Sequence, residues 1–237
     1  MIKIENLTIA HKNEVVLKNV SLDIFEKENI FIIGKSGVGK TLFINSFFAK
    51  NMIQEGSIFI NNENILEMKK KKFKNIINNI SYISQDSYLI EDQSIFTNIY
   101  RELKTKNWLG KMLGISNKKD TNKILNILKE FGIFDKAFSL VSSLSGGEKQ
   151  KVNLVISFLN KYQIFIADEP TTSLDIENSK RVINYILEKN KTSVVIVHNL
   201  KVIPPNTRVI AFKDKGIIYD GPFKLIKKEM LNEIYKQ

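Results

Sequence analysis

The chain has 237 residues, 43% of them hydrophobic and 26% charged, with a formal net charge of +11 and no cysteine. That length suffices for one large domain or two lobes on a shared core, and it buries enough surface to need no covalent staple. The missing cysteine excludes disulfides, thiolate metal sites and cysteine nucleophiles together.

The first residues, Met1-Ile2-Lys3-Ile4-Glu5-Asn6, show neither the apolar core nor the cleavage site of a signal peptide. No run approaches the roughly 18–20 uninterrupted apolar residues of a membrane span. The longest candidate, from Val152 to Ala167, is broken by Asn153, Asn160, Lys161 and Gln163. A cytosolic protein is expected, reaching a membrane only through a partner. The positive charge raises the question of nucleic acid. However, the lysines are spread along the chain, and the one dense run, from Lys69 to Lys74, has little aromatic interleaving. It reads as a solvated helix face, so no nucleic-acid partner is expected. Residence beside an anionic membrane leaflet suits the same charge.

In chain order, Ile2, Ile4, Leu7 and Ile9 alternate, followed by short runs at 15–17 and 20–24. Period-2 patterns of this kind predict strands with one buried face. The continuous apolar run from Asn29 to Ile33 predicts a strand buried on both faces. It leads into a glycine-rich turn and then the helical pattern Leu42, Phe43, Phe47, Phe48. Further strands are predicted at 57–60 and 80–84. From about Ile95 to Phe138, Ile124, Leu125, Leu128 and Phe131 recur at helical spacing with polar residues between them. A mostly helical lobe inserted in an α/β core is expected there. A helix after Gly147, strands at 164–167, 193–197, 209–212 and 216–219, and a closing helix from about Pro222 complete the pattern.

The turn Gly34-Lys35-Ser36-Gly37-Val38-Gly39-Lys40-Thr41 fits the phosphate-binding pattern G-x-x-x-x-G-K-[ST]. Glycines let the backbone aim several N–H groups at phosphate oxygens, and the following helix adds its positive end. Lys40 is placed to reach the β- and γ-phosphates of ATP and Thr41 to ligate Mg²⁺. Asp168 and Glu169 end a buried strand, and ligands of open parallel sheets bind at strand carboxyl ends. Two acids in that position often only meet solvent. Beside a phosphate loop, Asp168 becomes a Mg²⁺ partner and Glu169 a general base for the attacking water.

Leu144-Ser145-Gly146-Gly147-Glu148-Lys149-Gln150 offers a second anion-accepting helix start. One subunit with two phosphate-binding edges makes sense if each edge closes on a partner's nucleotide. In these motifs the whole chain resembles the ABC transporter ATPase family, and Leu144–Gln150 is similar to its signature, with Glu148 where glutamine is commoner. The resemblance makes Gln85 the Q-loop residue contacting Mg²⁺ and water, Ser173-Leu174-Asp175 the interface-crossing D-loop, and His198 the switch histidine at the γ-phosphate. It places His11 where an aromatic residue usually stacks on adenine, and Lys151 where arginine is common.

The implied fold is α/β: a P-loop NTPase core with a mainly parallel sheet, an N-terminal antiparallel β subdomain and an inserted α-helical subdomain. It forms a single domain, with core at 1–93 and 160–237 and the helical part at about 94–159. The implied assembly is a head-to-tail dimer with two sandwiched ATP molecules, on the cytoplasmic face of the cell membrane. It acts with membrane permease subunits and an extracytoplasmic substrate-binding protein. Ser94–Ile99 would face the permease. The stretches 108–120 and 221–235 resemble phosphonate-importer ATPases. A non-transport family member acting on ribosomes or DNA is the rival reading, disfavoured because such proteins usually carry two nucleotide domains or a long coiled-coil insertion.

Overall fold

The computed structural model describes residues 1–84, 89–104, 107–112, 114–189 and 191–236, leaving aside the side chain of Trp108. The chain opens on a hairpin of β1 (Ile2–His11) and β2 (Glu14–Ile24). Lys12 and Asn13 join them with φ of 49° and 68°, the left-handed pair that a two-residue hairpin turn demands. The two short runs expected at 15–17 and 20–24 prove to be one strand. Its change of phase is absorbed by a bulge near Asn19, and that of β1 by one near Asn6, at φ of 53° and 49°. Their displaced N–H groups are satisfied by side chains: Asn6 donates to Ser21 Oγ at 2.9 Å and Asn19 to Thr8 Oγ1 at 3.3 Å.

Strand β3 (Asn29–Ile33) leads through the phosphate loop into α1 (Lys40–Asn45). The chain then returns to the hairpin as β4 (Ile53–Ile60) and the short β5 (Glu63–Asn64), giving an antiparallel sheet ordered β2-β1-β4-β5. Helix α2 (Lys70–Ile77) carries the lysine run and buries no residue, as a solvated face should.

The second sheet contains β6 (Ile80–Ile83), β7 (Ile164–Asp168), β8 (Thr192–Ile196), β9 (Arg208–Lys213) and β10 (Gly216–Pro222), with β3 in the middle. Its order is β10-β9-β3-β8-β7-β6; every neighbouring pair is parallel except β9 with β10. All five residues of β7 and of β8 are buried, which explains the apolar runs Ile164–Ala167 and Val194–Ile196 within them. Arg208 ties the sheet's start to its edge, contacting both Asp220 oxygens at 2.5 and 2.7 Å and Glu28 at 3.0 Å.

Between β6 and β7 lie α3 (Ile95–Glu102), α4 (Trp108–Met112), α5 (Lys118–Glu130) and α6 (Gly146–Leu159). Ser94, Asn117 and Ser145 cap α3, α5 and α6, each accepting a backbone N–H. Ile95, Ile99, Ile124, Leu128, Val152 and Val155 form a core of their own, while Leu154 of α6 packs into the core beneath the parallel sheet. Helix α6 is therefore shared by both cores. Helix α7 (Ile176–Glu188) covers the sheet from that same side. The closing helix α8 (Lys228–Tyr235) starts later than expected, because a 3₁₀ turn at Phe223–Leu225 and extended backbone at Ile226 intervene. Among the described residues, no helix is long and apolar enough to cross a membrane.

Candidate functional site

The sheet order brings three strand ends to one rim. β8 lies between β3 and β7, so the loop after β3, the acids after β7 and His198 after β8 share the carboxyl edge of adjacent parallel strands. In the loop, Gly34, Gly37 and Gly39 have φ of 147°, 81° and 106°, a backbone that side chains with a Cβ rarely adopt. Gly39 is also a close approach: a Cβ there would lie 2.8 Å from Val16 of β2. The hairpin thus presses on the loop from outside, with Lys35, Ser36 and Val38 filling its crown and His11 exposed at the hairpin's end.

Lys40 is 5% exposed, and its ammonium donates to the carbonyls of Gly34 at 2.8 Å and Lys35 at 2.9 Å. The charge is thereby held at the loop's centre. Burial lowers its pKa, and the nearby Glu169 and Asp168 carboxylates oppose that shift.

Asp168 is 1% exposed, and among the described residues neither of its carboxylate oxygens has a hydrogen-bond partner. Burial raises its pKa; Thr41 is near enough to lower it but closes no hydrogen bond of normal geometry. A buried, unsatisfied acid beside a hydroxyl and a phosphate loop is suited to a hard cation with oxygen ligands. Asp168 and Thr41 therefore fit Mg²⁺, with phosphate oxygens and water completing its shell.

Glu169 adopts φ of 53°, a left-handed conformation costing about 1–2 kcal/mol for a residue with a Cβ. The turn aims its side chain along the rim. Oε1 meets His198 Nε2 at 2.5 Å, and Oε2 accepts the Thr172 hydroxyl at 3.1 Å. The carboxylate is 9% exposed and the imidazole 46%, so the pair sits half in and half out of the protein. Thr172 belongs to none of the recognised motifs; its place three residues after an acid is the signal it offers.

The signature residues gather elsewhere. Ser145 caps α6 by accepting the Glu148 N–H, and Glu148 Oε2 accepts the Ser145 N–H and hydroxyl, both at 2.9 Å. Lys136 meets Glu148 Oε1 at 2.6 Å. Its ammonium, with the two Ser145 donors, lowers the Glu148 pKa to about 2. Gly146 and Gly147 lie against Ser173 and Leu174: a Cβ on Gly147 would approach Ser173 O to 3.0 Å and Leu174 to 3.6 Å. Asp175 caps α7 through the Asn178 N–H at 2.9 Å, which gives it a structural task. Gln150 ties this group to the rim: its Nε2 donates to Pro170 O, beside Glu169, at 2.8 Å. Gln85 lies outside the described residues.

A nucleotide-shaped loop with a central lysine, a cation-ready acid and a poised carboxylate on one parallel-sheet rim defines a P-loop ATPase cassette. A family model described as ABC transporter matches residues 17–172, and the chain belongs to that family. The probable ABC transporter ATP-binding protein p29 of Mesomycoplasma hyorhinis is 31% identical over 99% of this chain and 96% of its own length. The phosphonates import ATP-binding protein PhnC of Lactococcus lactis subsp. cremoris is 31% identical over 100% and 99%. The solved dimeric ATP-binding cassette MJ0796, bound to ADP and Pi, superposes with a TM-score of 0.78 at 27% identity, covering 94% of this chain and 99% of the other. The chain is an ATP-binding, ATP-hydrolysing subunit of an ABC transporter.

Proposed function

We propose that two copies pair head to tail and close on two ATP molecules to drive solute import through permease subunits. Each chain works at the cytoplasmic face of the membrane, and an extracytoplasmic binding protein delivers the solute. The observation that carries the catalytic part is the convergence of Lys40, Asp168, Glu169 and His198 on one rim, while Ser145–Gly147 gather on the D-loop instead. A chain that separates its phosphate cradle from a second anion-accepting helix start needs a partner to use both. The dimeric state of MJ0796 supports that arrangement.

In this reading the loop N–H groups and Lys40 hold the phosphates, and Asp168, Thr41 and Gln85 hold Mg²⁺. The cation, when bound, neutralises charge on the β- and γ-phosphates. Glu169 takes the proton of the attacking water, and the strained turn together with Thr172 keeps its carboxylate on line. His198 shares Oε1 of that base, so it orients Glu169 and meets the γ-phosphate from the same rim. Its Nε2 must carry a proton to make that contact.

The relatives named for phosphonate import support a phosphonate-type or other phosphate-bearing cargo. The permease-facing stretch is proposed at Ser94–Ile99; a cleft of about 330 Å³, lined in part by Tyr82, Arg101 and Ile156, opens at the far end of the same helix. Of Ser94–Ile99, Ile95, Asn98 and Ile99 are buried in their own lobe, so Ser94, Phe96 and Thr97 are left to face a partner. The test is purification from native membranes. Recovery with a multi-span permease and a binding protein supports the importer, and recovery with ribosomal or DNA-associated proteins alone overturns it.

A further inference from the structure

A carboxylate in the signature is an electrostatic problem. In the paired reading, Glu148 sits in the first turn of the helix whose start must receive the partner's triphosphate, and like charges at that range repel. Glutamine at this position would carry no charge. The structure supplies a local answer in Lys136, on the 3₁₀ turn Phe134–Lys136, twelve residues before Glu148. Its ammonium takes Oε1 at 2.6 Å, leaving Oε2 for the Ser145 N–H and hydroxyl. Both oxygens are thus occupied by donors on the protein's own side. Lys149, the adjacent cation, is committed to Glu91 at 2.6 Å. Glu148 is 25% exposed, close enough to the surface for dissolved salt to screen the field it sends toward the helix start.

We propose that Lys136 is a positioning residue for the partner's nucleotide. It holds the Glu148 carboxylate in its capping geometry and cancels its charge, so that the Ser145–Gly147 end of α6 accepts the terminal phosphates of ATP. The inference rests on the paired-cassette reading and names what makes an acidic signature compatible with it. The ligand class is the polyphosphate end of a nucleoside triphosphate held on the other subunit.

The test uses the full chain carrying Glu169→Gln, titrated with ATP while dimerisation is followed by sedimentation. Adding Lys136→Met is expected to raise the ATP concentration needed for pairing by about tenfold. That defect should shrink as salt is raised, while Lys136→Arg keeps pairing close to the parent. Adding Glu148→Gln to Lys136→Met should restore pairing, because the charge to be cancelled is gone. A purely structural role for Lys136 predicts no such rescue. Parent-like pairing of the Lys136→Met chain, or an equal defect with and without Glu148→Gln, overturns the inference while leaving the paired reading intact. A parent chain that stays monomeric at saturating ATP overturns the paired reading, and the inference falls with it.

Discussion

The two anion-accepting ends of this molecule are built on opposite plans. At the strand rim, Asp168 is buried with no hydrogen-bond partner among the described residues, Glu169 sits in a strained turn, and Lys40 donates to two loop carbonyls. At the start of α6, every hydrogen-bonding atom of the Glu148 carboxylate and the Ser145 hydroxyl is engaged, and the glycines lie flush against Ser173 and Leu174. The contrast separates chemistry from docking. The buried acid proposed to meet a cation is kept under-satisfied, the proposed base is held by His198 and Thr172, and the helix start proposed to meet a partner is locked in advance.

That contrast is open to direct attack. The largest effect is expected from Glu169→Gln, which keeps the shape and the Thr172 contact but removes the base. Phosphate release should fall by about a thousandfold with ATP binding retained, and unchanged turnover would remove Glu169 from the chemistry. Lys40→Met should come next, weakening ATP binding by about a hundredfold in equilibrium titrations, since a buried charge on phosphate is lost. At the docking end, Gly147→Val should leave each chain's own ATP affinity intact. It should cost about 1–3 kcal/mol in thermal melts, because its side chain would press on Ser173 and Leu174.

The smallest effect is a pH dependence. Glu148 has a folded pKa of about 2 against an ordinary value of 4.5. Its ionised form therefore stabilises the fold fully above about 4.5, and that contribution shrinks below this value and is gone once the pH drops under about 2. Melting curves of the native chain and Glu148→Gln should accordingly converge as the solution is acidified. A gap that stays constant would mean the carboxylate is not held as described.

The sequence made the rim legible because its strands are buried on both faces. The unbroken apolar runs before Gly34 and Asp168, and that ending at Val197, could hardly be anything else, and each delivers its polar residues at the first step out of the sheet. The hairpin was harder to read. Bulges at Asn6 and Asn19 reverse the inside-outside alternation, and nothing in the local pattern distinguishes a bulge from a strand break. Lys136, Thr172 and the Gln150–Pro170 bond were not visible at all, since each depends on a tertiary contact with no periodic signature.

Helix α6, shared between two hydrophobic cores, has a thermodynamic consequence. Were the helical lobe to melt alone, it would have to strip Val152 and Val155 from their neighbours while Leu154, on the same helix, stayed packed beneath the sheet. A helix cannot half-unfold along its length without breaking its own hydrogen-bond ladder. The lobe and the sheet are therefore joined in one cooperative unit, expected to melt in a single calorimetric transition, with the amides of α6 among the slowest to exchange with solvent.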